Sequence, residues 1–385
     1  MGSGFKFIDG ASTVDFLDFY VSRDLILNTP EGLWGWGRND WGQFGNGNTV
    51  STNEPVASTN SSGWKSFDCG YYHTLAIKNN GTLWAWGYNN NGELGQGDVI
   101  VRSSPVQIGA FTNWKQISSN NSFSSAAIKT DGTLWTWGNN DYGQLAAGEY
   151  DSGKRSSPLQ VGSDTNWNQV SISGHNGAAV KTDGTLWTWG NDSDGQLGIN
   201  VNGGYCFTPI QVGTLTDWKC VETNERSVCA IKTDGTLWTW GLNTLGQLGH
   251  NDRTSRSSPV QVGTLTNWKQ VSVGKNHTLA IKTDGTLWGW GRNDWGQLGI
   301  GLSGAAHRSS PVQIGTLTNW KTVDCGENVV AAIKIDGTLW TWGYNDNGQL
   351  GYGYLQSMSS PVQVSALSKW KQVSASSYFM IGQKK

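Results

Sequence analysis

Charge is scarce in this chain. Asp, Glu, Lys and Arg make up 15% of 385 residues, and the formal balance is −2. A nucleic-acid binder carries a basic excess or a clustered basic stripe; neither is present, so no nucleic acid is expected as a partner. Long apolar runs are also missing. No stretch approaches 18 apolar residues, which excludes a membrane-spanning helix, and the first residues lack the charged-then-apolar order of a secretory signal. The five Cys make an odd number with no Cys-x-x-Cys spacing, so neither a disulfide framework nor a zinc site is expected. Cys69 and Cys325 occupy one repeat slot in separate units and read as buried thiols. Histidines number only five. His73 and His277 share a slot in different repeats, which suits a structural role rather than a common metal. Gly-x-Ser-x-Gly, His-Glu-x-x-His and phosphate-loop motifs are absent, so no catalytic residue, metal or cofactor is assigned.

What is abundant is Gly, at 53, and Trp, at 23. The string Leu-Trp-x-Trp-Gly occurs seven times, its first indole at Trp34, Trp84, Trp135, Trp187, Trp238, Trp288 and Trp340, at intervals of 50 to 52 residues. A second string, Asn267-Trp268-Lys269-Gln270-Val271-Ser272 in one copy, also recurs seven times. The two strings hold 21 of the 23 tryptophans. Trp is therefore a packing residue copied once per unit, and the repeat decides the architecture. In the unit 268–315, Trp268–Ser272, His277–Lys282, Leu287–Gly291 and Ser310–Ile314 read as four strands. An Asp284-Gly285 turn, expected to be type I′, joins the second and third, and Pro311 is placed at the start of the fourth. Equivalent turns lie at Asn80, Asp131, Asp183, Asp234 and Asp336.

A four-stranded antiparallel sheet cannot bury both faces alone, so the copies must stack. The prediction is all-β: a seven-bladed β-propeller over 31–385, with strands from the N- and C-terminal ends combining into one blade that closes the ring. Residues 1–30 stand apart as an aromatic, acidic leader. Phe16, Phe19, Tyr20, Leu25 and Ile26 are its candidate docking residues, either on the rim, in the closing blade or in a larger assembly.

The order Gly-Thr-Leu-Trp-x-Trp-Gly-x-Asn-x-x-Gly-Gln-Leu-Gly, then Ser-Pro-Val-Gln, then Gly-x-x-His-Thr-Leu-Ala, resembles the regulator of chromosome condensation repeat family from residue 31 to about 382. The resemblance implies a seven-bladed propeller. It also implies one of several roles: exchange factor for a small GTPase, chromatin binder, ubiquitin-ligase subunit or interaction platform. Repeat lengths here leave no room for the insertion with which the founding exchange factor wedges its GTPase, and no basic tail follows the last repeat.

Function is therefore sought where the repeats disagree. The segments 46–54, 96–104, 147–157, 199–208, 250–258, 300–310 and 352–360 vary and should emerge on one face, where rigid scaffolds usually carry binding loops. Arg102, Arg155, Arg256 and Arg308 recur beside them as a candidate cationic arc for an acidic protein, or as solvated edge charge. Trp41, Trp295 and Tyr142 share the slot before Gly-Gln and could stack on a glycan. The leading expectation is a non-enzymatic structural or protein-interaction propeller, in the cytoplasm or as a virion component. The alternatives are a GTPase exchange factor and, more weakly, a glycan binder.

Overall fold

The computed structural model describes residues 32–58, 62–148, 153–201, 203–366 and 369–385. Within them, 28 strands form seven separate four-stranded antiparallel sheets, with no helix. Blades 1 to 6 span residues 64–107, 114–160, 167–211, 218–261, 268–313 and 320–363. Blade 7 takes its inner and second strands from 370–384 and its third and outer strands from 33–57. Leu33 to Gly37 pair with Gln383 to Phe379, so the two ends of the chain close the ring, as the repeat order requires. All four strand positions of blade 7 are filled by these residues. The leader residues Phe16, Phe19, Tyr20, Leu25 and Ile26 lie outside the described residues.

Each blade boundary encloses its own apolar core. Between blades 4 and 5, for example, Cys229, Ile231 and Leu237 meet Trp268, Val271, Ala280 and Trp290. The second Trp of each Leu-Trp-x-Trp is fully buried, and its indole Nε1 donates to a backbone carbonyl of the preceding blade. Trp86 reaches Gln43, Trp137 Glu93, Trp189 Gln144, Trp240 Gln196, Trp290 Gln247, Trp342 Gln297 and Trp36 Gln349, at 2.7–3.0 Å. The glycine two residues beyond that carbonyl exists because of the indole. A Cβ on Gly198 would sit 2.7 Å from Trp240 Nε1, and its backbone is left-handed, at φ +71. Ala146 takes this place between blades 2 and 3 and keeps a positive φ of 53°.

The first Trp of the string behaves differently: it is half-buried in six blades. With the inner-strand Trp it sandwiches the last Lys of the second strand. Lys78 Nζ lies 4.0 Å from the Trp84 ring and 4.9 Å from Trp64, and Lys129, Lys181, Lys232, Lys282, Lys334 and Lys384 repeat the arrangement. Cation–π pairing of this kind strengthens as water is excluded. Burial pushes the Lys384 ammonium down to about 8.

Two local expectations are corrected. The Asp-Gly turns are not type I′, because only the Gly has positive φ (77° at Gly132). Gly132 N bonds Lys129 O, and Lys129 N bonds Thr133 O; the loop is a type I turn followed by a left-handed Gly. Asp131 Oδ1 fixes it by accepting from Thr133 N at 3.0 Å and Thr133 Oγ1 at 2.7 Å. Thr133 Oγ1 in turn accepts Trp135 Nε1. The fourth strand begins at Arg308, not Ser310, so Pro311 is interior to it. An edge strand with a register break tolerates the missing N–H.

Replacing Trp290 by Ala removes both the indole bond and a large buried area. Unfolding free energy is expected to fall by about 3–5 kcal/mol, measured as a lower urea midpoint.

Candidate functional site

In every blade the inner and third strands run one way and the second and outer strands the other. One side of the ring, the loop face, therefore carries the inner-to-second and third-to-outer loops. The opposite turn face carries the Asp-Gly turns and the links between blades. Among the departures from seven-fold repetition, two bear on function: the axial channel and one sector of the loop face.

The channel is walled by the seven inner strands, which are joined by side chains. Gln116 accepts from Val170 N at 3.0 Å and donates to Val170 O at 2.9 Å. Gln169 does the same to Val221 and Gln270 to Val323. One level further in, Ser118, Ser171, Ser272 and Ser374 accept the backbone N–H of Ile172, Thr223, Cys325 and Cys69, each at 3.0 Å. Blades 1, 4 and 6 put Asp68, Glu222 and Asp324 in that serine slot. Asp68 accepts from Ser119 N at 2.6 Å and Asp324 from Ala375 N at 2.7 Å. The longer Glu222 takes Asn120 Nδ2 and Ser171 Oγ at 3.3 Å. Burial, then mutual repulsion, raises Asp324 to about 7 and Glu222 to about 8, and burial raises Asp68. No three described His, Cys, Asp or Glu converge as metal ligands; the carboxyls are wall groups.

At the loop face Asn121 reaches across the channel. Its Nδ2 stands 3.4 Å from Cys325 O in blade 6 and 3.5 Å from Ala375 O in blade 7, and its Oδ1 accepts from Ser377 Oγ. Blade 2 can do this because Trp114 to Lys129 is one residue longer than Trp64 to Lys78 and its equivalents. The surplus residue takes φ 51°, which Asn tolerates. In the sequence the surplus shows only as one residue more between Trp114 and Lys129 than between Trp64 and Lys78.

The second departure is aromatic. Arg38, Trp41, Tyr71, Tyr72, Tyr88, Phe123 and Tyr378, from adjoining blades 7, 1 and 2, form one half-buried cluster. Tyr72 stacks on Tyr378 at 5.3 Å and 18°. Tyr71 meets Tyr378 edge-on, their hydroxyls 3.2 Å apart. Tyr88 touches Phe123 at 5.7 Å and Trp41 at 5.0 Å. The Arg38 guanidinium lies 5.3 Å from the Tyr72 ring and pairs with Asp40 at 2.6 Å. In blades 3 to 6 the Tyr72 slot holds His175, Arg226, Asn276 and Asn328. That half of the face is knitted by ion pairs, Arg226 to Asp194 at 2.8 Å and Lys275 to Glu327.

The rim residues singled out from the sequence lie on this face but are not gathered into one site. Trp41 belongs to the aromatic cluster. Trp295 stands in blade 5, 41% exposed, edge-on to Tyr344 at 4.9 Å. Tyr142 packs on His175 at 4.1 Å. The arginines start the outer strands, and three serve their own loops. Arg102 pairs with Asp98 at 2.7 Å and Arg256 with Asp252 at 2.6 Å, each also donating to a loop carbonyl; Arg308 donates to the carbonyls of Ala306 and His307. Arg155 opens its strand opposite Gly138. His73 and His277 are wholly buried, which pushes both imidazoles down to about 3. The Cys69 and Cys325 thiols are raised by burial and face Ser374 O and Ser272 O.

Comparison with known proteins agrees with this geometry. The family model "Regulator of chromosome condensation (RCC1) repeat" matches seven times, from residues 31–77 to 336–381. Among curated proteins, the Ultraviolet-B receptor UVR8 of Arabidopsis thaliana is 30% identical over 341 residues, 86% of this chain and 77% of that protein. The human probable E3 ubiquitin-protein ligase HERC6 is 31% identical over 236 residues; the match takes 59% of this chain and only 23% of that protein. Human WBSCR16 superposes with a TM-score of 0.82 at 21% identity, covering 93% of this chain and 99% of that one. Prp20p from Saccharomyces cerevisiae, whose structure is described with its binding properties to Gsp1p and histones, gives 0.79 at 21% identity over 93% and 92%. At that identity the superpositions establish fold.

The channel carboxyls predict a pH dependence. Asp324 and Glu222 titrate higher folded than unfolded, so the native state holds extra protons and loses stability as pH rises toward 8. His73 and His277 act oppositely, and only below about 6.5, their usual value. Lys384, lowered by burial to about 8, also opposes the fall, but only as pH nears 8; from pH 6.5 to 7.5 the melting temperature should therefore fall, and Glu222→Gln should flatten that fall in a thermal scan.

Proposed function

The chain belongs to the RCC1-repeat family, and on that premise we propose that it is a non-enzymatic binding propeller whose loop face engages a protein partner through the aromatic sector of blades 7, 1 and 2. One observation carries this reading. The blades repeat almost residue for residue, yet at the Tyr72 slot a Tyr or Phe stands only in three adjoining blades. Packing of the ring does not require the difference, since blades 3 to 6 close the same fold with His, Arg and Asn there. Half-buried Tyr and Trp present apolar area with a polar edge and little side-chain entropy to lose, which suits a protein interface. The perturbed carboxyls, imidazoles and thiols are accounted for by burial in the blade walls, so none is left over for chemistry.

A second reading, exchange on a small GTPase, has the support of family membership and of the fold shared with Prp20p, whose structure is described with binding to Gsp1p. It uses the same scaffold, and accelerated nucleotide release from a GTPase panel is its test. The virion expectation gains nothing from these relatives. Residues 1–30 are proposed as a separate attachment segment, because the described strands complete blade 7 without them.

The scaffold supplies its own control. Trp41–Tyr88 and Trp295–Tyr344 are equivalent pairs in different sectors. In capture from the native source followed by mass spectrometry, Trp41→Ala with Tyr88→Ala should lower recovery of the partner by about tenfold, as loss of an interface hot spot does. Trp295→Ala with Tyr344→Ala should leave it unchanged. Equal loss from both pairs refutes the sector, and glycan-array binding abolished by the Trp295 pair would favour sugar stacking. Deleting residues 1–30 should spare the melting temperature.

A further inference from the structure

The two faces differ in their cations. Every described arginine stands on the loop face, whereas all described lysines except Lys154 and Lys275 stand on the turn face. Among these, Lys65, Lys115, Lys219, Lys269, Lys321 and Lys371 are the residues after the first Trp of their inner strands, and all six are exposed. They circle the axial mouth, with Asn168 in the seventh place, where it accepts a hydrogen bond from Lys115 at 3.0 Å. Among the described residues none of the six lies within ion-pair distance of a carboxylate. The mouth opens on a cavity of about 340 Å³ that is lined by Lys65, Lys115 and Gln116 and also by the carboxyls Asp68, Glu222 and Asp324.

We propose that this mouth is a docking site for an acidic peptide segment, a single extended chain bearing several Asp or Glu side chains. Six ammonium groups without a carboxylate partner around one opening add their potentials on the axis, and an anion placed there relieves their mutual repulsion. The surroundings select its width. Outside the lysines stands a second ring, the exposed turn carboxylates Asp131, Asp183, Asp234, Asp284 and Asp336, whose neighbouring lysines Lys129, Lys181, Lys232, Lys282 and Lys334 are buried between indoles, so that the carboxylates are what an approaching surface meets. A nucleic-acid duplex or an anionic bilayer laid on the face would meet both rings, attraction at the centre and repulsion around it. A lone peptide chain meets the inner ring only. Depth is limited too, since Asp68, Glu222 and Asp324 stand further down the channel. Acidic side chains are thus held at the mouth by lysines alone. The site is on the opposite face from the aromatic sector and does not depend on it.

The test titrates fluorescein-labelled deca-glutamate against the full chain by anisotropy at low ionic strength. Saturable binding that weakens with added salt is expected. The variant Lys219→Ala/Lys269→Ala/Lys321→Ala, altered only at exposed positions, should bind about tenfold more weakly with an unchanged melting temperature, and Trp41→Ala/Tyr88→Ala should bind like the parent. Duplex DNA and phosphatidylserine vesicles should bind the parent about tenfold less well than deca-glutamate. Asp234→Asn/Asp284→Asn, which keeps turns of the kind Asn80 already forms, should narrow that gap. Absence of saturable binding, equal binding by the lysine variant, or duplex or vesicle binding as tight as that of the peptide overturns the proposal. An unchanged gap in the Asn variant overturns the role of the outer ring.

Discussion

A single hydrogen bond, made seven times, governs the geometry of this ring. An indole N–H buried at a blade boundary must find an acceptor or cost the desolvation of a lone donor, and the acceptor is a backbone carbonyl in the loop of the blade before. Aiming that carbonyl fixes the loop. Asn243 Oδ1 accepts from Leu248 N, and Gln247 Oε1 accepts from Leu245 N, so Asn and Gln in the repeat are there to fold the turn onto its neighbour's indole. The glycine that follows must then be small and left-handed. Most of the Gly-Gln-Leu-Gly string is thus a consequence of one Trp, and the copied composition follows from having seven boundaries to seal.

That dependence explains why the architecture could be read directly. The spacing of the tryptophans, the incomplete units at either end and the count of copies each have one geometric solution, and Trp36 to Gln349 shows the ring closing by the same bond as everywhere else. Where the structure departs from the sequence expectation, local detail overrules the simple backbone pattern. The Asp-Gly dipeptide suggests a two-residue turn, but Asp131 accepting from Thr133 selects the longer loop. Pro311 looked like a strand start, but an outer edge needs few donors. Asn121 was hidden because a single added residue is trivial in length and decisive in direction.

The site was legible only in part. Looking where repeats disagree leads to the face on which the aromatic cluster stands, and Trp41 is part of that cluster. Tyr72, Tyr88, Phe123 and Tyr378 were passed over, because they come from different slots in three blades and become neighbours only when the ring closes. The arginines illustrate the reverse. Their recurrence suggested a shared surface, yet Arg102 and Arg256 are spent on carboxylates four residues away in their own loops. Recurrence in a repeat protein marks what each unit needs for itself; asymmetry marks what the whole displays.

The closing blade carries a mechanical corollary. Its two central strands, Leu33–Gly37 and Phe379–Lys384, run antiparallel, with Leu33 and Gln383 paired at the same end of the blade. A load drawn through both ends of the chain would therefore peel their cross-strand hydrogen bonds one after another rather than shear them all together. An attachment made through both of these strand ends would pull on that zipper.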